Sequence, residues 1–145
     1  MEKILKVQMD AVLANQGLAR AVAAAYASEL DPTVEELTEI KTAVSEAFSN
    51  AAIHGYPGDM SGSVNLEFAT ISPATIMIKV IDHGVGIEDI ARAMEPLFTT
   101  DTGDERSGMG FTVMESFTDR IKVDSRPGEG TTVTLIKKLD TYYDF

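Results

Sequence analysis

Polar and apolar residues alternate from the start of the chain: Ile4, Lys6 and Gln8 fall on one side of an extended segment, Leu5, Val7 and Met9 on the other. This two-residue period predicts a first strand over residues 4–9. Between residues 15 and 30 the period lengthens. Leu18, Val22, Ala25 and Tyr26 recur at helical spacing in an alanine-rich stretch, predicting a helix that ends near Asp31 and Pro32. A second helix begins there, capped either by Asp31 with Pro32 in its first position or, one register later, by Thr33 and Glu36 as a capping box. Leu37, Ile40, Val44, Phe48 and Ala51 form one stripe along it, the pattern of a face packed on a sheet. His54-Gly55-Tyr56-Pro57-Gly58 marks its end.

Two β-rich runs, 64–69 and 75–82, flank a Ser-Pro turn and predict a hairpin. A short helix over 88–94 follows. The polar segment of about 95–108 is punctuated by proline and glycine and has no period, so it is expected to form a mobile lid. A helix over 110–117 and strands over 120–125 and 131–138, joined by a Pro-Gly-Glu-Gly turn, complete the pattern. The order predicts an α/β two-layer sandwich, with helices covering one face of a mixed, mostly antiparallel sheet. With 145 residues and 44% hydrophobic positions, the chain fits a single domain with its own core.

A formal net charge of −11 argues against direct nucleic-acid binding or an anionic-membrane surface, since both need clustered lysine and arginine. The absence of cysteine excludes a disulfide framework and thiolate chemistry. The start of the chain lacks the apolar run of a signal peptide, and no run approaches membrane-spanning length, so a cytoplasmic location is expected. Two histidines, His54 and His83, make a poor zinc site without a third ligand at metal spacing.

Four short signals carry the chemistry. Glu46 and Asn50 lie four residues apart on the second helix, more than roughly 100° from the centre of its apolar stripe. Their side chains therefore stack, and a carboxylate and an amide oxygen can converge on one ligand. Such pairs are common on solvated helices, and the later signals give this one its meaning. Asp82-His83-Gly84-Val85-Gly86 ends a strand with an acid followed by two glycines, so the carboxylate can lie on a pocket floor while the backbone turns beneath the ligand. The natural partner of Asp82 is an amino group. Gly108-Met109-Gly110 opens a helix, whose N-terminus offers unpaired N–H groups to phosphate, with Arg106 and Ser107 just before it. Gly128-Glu129-Gly130-Thr131 reads first as a hairpin turn, with Thr131 at the strand start in reach of a base. In this order the signals describe an ATP pocket, with Thr99 to Ser107 as its lid.

The pattern resembles the Bergerat-type superfamily that contains gyrase, Hsp90, MutL and the histidine kinases. That resemblance implies ATP or ADP as ligand. It also implies Mg²⁺ held by Asn50, Glu46 as general base, Asp82 accepting from the adenine amine, Gly86 giving the ring room, and Gly84 among the nucleotide-binding residues. A hard amide oxygen suits Mg²⁺, and a carboxylate beside a hydroxyl can take its proton during phosphoryl transfer.

Longer stretches narrow the resemblance: Arg20, Asp31-Pro32-Thr33, Glu36 to Lys41, Ser45-Glu46, Asn50, His54-Gly55-Tyr56, Pro96-Leu97-Phe98-Thr99-Thr100 and Glu105 to Phe111. Together they are similar to the anti-sigma F factor family of spore-forming bacteria, from the first strand to the last. The resemblance implies a dimeric serine-protein kinase that binds a sporulation sigma factor when loaded with ATP. It also implies phosphorylation of a serine on an anti-anti-sigma antagonist. Arg20 then contacts partners, the first strand contributes to the homodimer, and Thr99, Thr100, Arg106, Ser107, Gly108, Met109 and Gly110 surround the phosphates. The family pattern implies a lysine after the paired threonines, where Asp101 stands here; the acid weakens the lid's hold on phosphate and leaves Arg106 as its cation.

Three other readings compete. An ATP-hydrolysing clamp would use Glu46 to activate water, but clamps carry large further domains. A histidine-kinase catalytic domain would need a helical hairpin with an acceptor histidine. A nucleotide-gated module that sequesters a sigma factor and transfers nothing is the reading that the residues separate least.

Overall fold

The computed structural model describes residues 4–59, 61–72, 74–95 and 110–140. Strands β1 (Ile4–Asp10), β2 (Ser63–Ser72), β3 (Thr75–Asp82), β4 (Arg120–Arg126) and β5 (Gly130–Lys138) form one sheet in the order β1-β2-β3-β5-β4. The antiparallel mode expected of most of the sheet extends to all four described ladders. Alternation sorts the strand residues: Leu66, Phe68, Ile76, Ile78, Val80, Val133 and Leu135 are buried on the side that faces the helices. The opposite face carries cross-strand rows such as Lys6, Glu67, Lys79, Thr134 and Lys122.

Helices α1 (Gln16–Ser28), α2 (Val34–Asn50), the short α3 (Ile90–Ala93) and α4 (Gly110–Phe117) complete the described elements. The capping box settles where α2 begins. The Thr33 hydroxyl accepts from the Glu36 N–H at 3.0 Å, and the Glu36 carboxylate accepts from the Thr33 N–H at 2.9 Å. Asp31 instead takes a φ of 54° in the turn out of α1.

The α2 stripe packs as the periodicity predicts, with Ile40, Val44, Phe48 and Ala51 buried and Leu37 partly buried. Full burial of side chains like Ile40, Val44 and Phe48 is worth roughly 1.5–3 kcal/mol each. The buried face is wider than the stripe, adding Ala43, Ser45, Ala47 and Ser49, because α2 contacts α1 and α4 as well as the sheet. In α1 the helix is as expected but its phase is not: Ala19, Ala23, Tyr26 and Ala27 are buried, while Leu18 is exposed. Small alanine side chains let α1 lie close on α2, and the larger Leu18 turns outward.

Two contacts fix α2 along the sheet. The second oxygen of Glu36 accepts from the Asp140 N–H at 2.6 Å, and Lys137 pairs with Glu39 at 2.7 Å, both joining the exit of β5 to the first turns of α2. Glu46 and Asn50 lie farther along the same helix. Among the described residues, no helix is long and apolar enough to cross a membrane.

Candidate functional site

Glu46 and Asn50 are each half-buried on α2, one turn apart, and project away from its core stripe. The start of α4 lies directly against them. A Cβ on Gly110 would stand 2.9 Å from Asn50 Nδ2 and 3.3 Å from both Asn50 Oδ1 and Glu46 Oε1. Glycine at this position therefore lets the start of α4 approach a carboxylate and an amide at once. This supplies what a phosphate and a hard divalent cation require: N–H donors for the anion, and oxygen ligands for the metal.

Past Asn50 the helix widens into a π-helical turn, Ala51–Gly55. Such turns recur at functional sites because they shift the side-chain register. Here the turn delivers Gly55 to the Asp82 loop: a Cβ on Gly55 would meet the Asp82 carboxylate at 2.9–3.0 Å. The Gly55 carbonyl accepts from the Val85 N–H at 2.8 Å, and the Val85 carbonyl accepts from the Gly128 N–H at 2.7 Å. Backbone hydrogen bonds thus run from the end of α2, through the Asp82 loop, to the β4–β5 turn.

Asp82 is 5% exposed at the end of β3, on the helix side of the sheet. Its Oδ1 accepts from the Gly84 N–H at 2.9 Å. Burial pushes the carboxyl above its ordinary value, partly offset by backbone N–H groups of Gly84 and Thr131 and by the charge of His83. Thr131 stands directly across from Asp82 in the β3–β5 ladder and is itself buried, so what reads in sequence as a hairpin turn belongs to the floor of the site. Gly84 has no room for a side chain because the Gly55 carbonyl occupies that space. Gly86, expected to make room for a ring, takes a φ of 78° and is pressed against the Arg126 carbonyl, so the β4–β5 turn requires this glycine.

Three site residues escape sequence reasoning. The Tyr56 hydroxyl accepts from the His83 N–H and donates to the Ser63 carbonyl, both at 2.8 Å, and so joins the Asp82 loop to β2. Gly55 gave a helix-end signal without indicating its contact with Asp82. Ser125 reads as an ordinary strand serine, yet its hydroxyl contacts Ile87, Gly130 and Thr131. A cavity of about 350 Å³ at this end of the sheet is lined from both faces, by Asp82, Ser125 and Thr131 and by Ile81, Asp124 and Thr132, which alternate with them.

The structure thus brings Glu46, Asn50 and Gly110 together at one end of the site, and Asp82, Gly84, Gly86 and Thr131 at the other. Arg20 is exposed on α1. Thr99, Thr100, Asp101, Arg106, Ser107, Gly108 and Met109, with nearly all of the expected lid, lie outside the described residues.

The family model for the histidine kinase-like ATPase domain matches residues 9–137. An anti-sigma F factor of Anoxybacillus flavithermus is 50% identical over 139 residues, covering 96% of this chain and 94% of the relative. That of Clostridium acetobutylicum is 49% identical and covers 96% of each chain. Solved structures share the fold at lower identity. The RsbU and RsbW domains of a Mycobacterium tuberculosis protein superpose with a TM-score of 0.67 at 22% identity, covering 94% of this chain and 32% of that one. The mycobacterial sensor histidine kinase MprB gives a TM-score of 0.59 at 16% identity, covering 93% and 98%. A fold with its helices on one face of an antiparallel sheet, a carboxylate and amide beneath a helix N-terminus, and relatives near half identity along almost its whole length place this chain in the anti-sigma F factor family, on the histidine kinase-like ATPase fold.

Proposed function

We propose that the protein is a single-domain, ATP-dependent anti-sigma factor that inhibits a sporulation sigma factor and phosphorylates a serine of its anti-anti-sigma antagonist. The observation that carries this reading is the placement of Gly110 against Glu46 and Asn50, which sets a carboxylate beside a phosphate-suited helix start. Family membership supports it, since close relatives bear the name anti-sigma F factor.

Each residue has a task in this mechanism. Asp82 accepts from the adenine amine and holds the base, with Thr131 beside it. Asn50 supplies an amide oxygen to Mg²⁺, and the N–H groups around Gly110, with Thr99, Thr100, Arg106, Ser107, Gly108 and Met109 from the 95–108 lid, hold the phosphates. When bound, Mg²⁺–ATP supplies the phosphoryl group and charge neutralisation for its transfer. Glu46 takes the proton of the acceptor serine hydroxyl as that oxygen forms its bond to the γ-phosphorus and the bond to the bridging oxygen breaks, leaving ADP. Arg20, exposed on α1, contacts the partner proteins, and β1 contributes to a homodimer. The site works in the cytoplasm, without direct contact with nucleic acid or membrane.

The experiment is incubation of the purified chain with Mg²⁺ and γ-labelled ATP, with and without the antagonist protein. Label on a partner serine supports the kinase. Phosphate released without the partner points to a hydrolase, and neither product points to a nucleotide-gated binding module. Glu46→Gln is expected to keep ATP binding and lose transfer; undiminished transfer removes Glu46 as the base. Arg20→Ala is expected to weaken partner binding with ATP binding intact.

A further inference from the structure

We infer that Ser125 sets the hydrogen polarity of the base-reading end of the site, so that it selects 6-amino over 6-oxo purine nucleotides. This rests on the proposed reading in which Asp82 and Thr131 face the base.

Asp82, Thr131 and Ser125 form one cross-strand row on the helix side of β3, β5 and β4. The Ser125 Oγ lies 2.8 Å from the Ile87 N–H, 3.0 Å from the Gly130 carbonyl and 2.7 Å from the Thr131 hydroxyl. A hydroxyl has one proton and two lone pairs. The Ile87 N–H can only donate, so it takes one lone pair of Ser125. The Gly130 carbonyl can only accept, so it takes the Ser125 proton. All three contacts are satisfied at once in one arrangement, in which Thr131 donates into the second lone pair.

The consequence appears one strand away. With its proton committed to Ser125, the Thr131 hydroxyl offers only lone pairs to a ligand. Asp82, whose carboxylate accepts from the backbone N–H groups of Gly84 and Thr131, also offers only acceptors. An exocyclic amino group brings two hydrogens to such a floor. A 6-oxo group would bring lone pairs against lone pairs in a buried place, where an unmet acceptor is costly. Ser125 touches no ligand in this arrangement and acts as a positioning residue through Thr131.

The test measures dissociation constants of ATP and inosine 5′-triphosphate, with Mg²⁺, for the full chain and for Ser125→Ala and Ser125→Thr. Wild type is expected to prefer ATP. In Ser125→Ala the Thr131 hydroxyl is free to turn and donate to the 6-oxo group, so the preference is expected to fall about five- to tenfold, the worth of one hydrogen bond. Ser125→Thr, which keeps the hydroxyl, is expected to restore it. The ratio is internal to each preparation, so a partly unfolded variant does not mimic the effect. Equal weakening of both nucleotides, with the preference unchanged, makes Ser125 a strut of the turn and overturns the inference while leaving the ATP reading intact. A wild type that binds ATP and inosine triphosphate alike also overturns it alone. A wild type that binds no adenine nucleotide overturns the functional reading and this inference together.

Discussion

The backbone carbonyl of Gly55 occupies the place where Gly84 would carry its side chain, and the same carbonyl accepts from the Val85 N–H at 2.8 Å. The end of the helix that bears Glu46 and Asn50 is thereby locked, backbone to backbone, onto the loop that bears Asp82. Two ends of one site, separated by more than thirty residues of sequence, are joined by this backbone contact and by the bond from the His83 N–H to the Tyr56 hydroxyl.

Gly84→Ala is therefore expected to injure both fold and site. A methyl group would push the loop off Gly55 and strain the neighbouring hydrogen bond, costing about 1–3 kcal/mol of stability as overpacking does. Nucleotide binding is expected to weaken by roughly tenfold or more, the equivalent of about 1.4 kcal/mol. Urea unfolding and calorimetric titration with ATP measure the two effects; a variant with wild-type affinity would show that the lock does not position Asp82.

Gly110→Ala is expected to separate the two. Gly110 opens α4, so alanine there gains less in helix preference than the roughly 0.5–1 kcal/mol of a mid-helix position. Its methyl group would crowd only the ends of the Asn50 and Glu46 side chains, which can swing aside. Thermal stability is expected to hold or rise while phosphoryl transfer drops. Unchanged transfer in single-turnover assays would count against the proposed roles of Glu46 and Asn50.

The division between what the sequence discloses and what it hides follows from the range of the forces involved. The α2 stripe and the β2–β3 hairpin are local patterns and form where the periodicity places them, and the capping box of Thr33 and Glu36 is one of the two helix starts that the sequence offers. The phase of α1 was hidden because alanines on every side give the helix little apolar asymmetry, and close packing on α2 decides which of them are buried. The π-helical turn and the triple contact of Ser125 depend on strand register and on loops arriving from elsewhere, which no local pattern encodes. The place of Glu46 and Asn50 off the core stripe was legible from one helical wheel, whereas the pairing of Thr131 with Asp82 needed the ladder.

Acidity is expected to act on Asp82 in two opposite ways. Because burial raises its carboxyl pKa, the folded protein keeps this proton to a higher pH than the unfolded chain. The stability contribution of Asp82 therefore falls as pH rises from the ordinary carboxylate value through the raised one. Nucleotide binding runs the other way, since the protonated acid no longer offers the adenine amine a full acceptor. ATP affinity is expected to decline on acidification, beginning above the pH at which an exposed aspartate would protonate. Asp82→Asn is expected to bind weakly and to flatten that part of the profile, because its amide presents a donor to an amine. Titration calorimetry across pH on both proteins checks this, and parallel profiles would assign the pH dependence to another group.

Glu36 offers a test of how the site is held from a distance. One of its oxygens accepts from the Thr33 N–H and the other from the Asp140 N–H, so both are committed to backbone donors in a residue only 8% exposed. Glu36→Gln keeps the size and one acceptor but turns an NH₂ group toward one of those N–H donors, leaving a buried donor unmet. The expected cost is about 1–3 kcal/mol, larger than that of Lys137→Met, whose ion pair with Glu39 lies nearer the surface. If the anchor also sets the height of α2 above the sheet, transfer activity in Glu36→Gln is expected to fall further than the folded fraction, and ATP affinity less, because Asp82 and Thr131 are held opposite each other by the β3–β5 ladder. Chemical denaturation gives the folded fraction and single-turnover kinetics the transfer rate. Activity that merely tracks the folded fraction would confine Glu36 to a stabilising role.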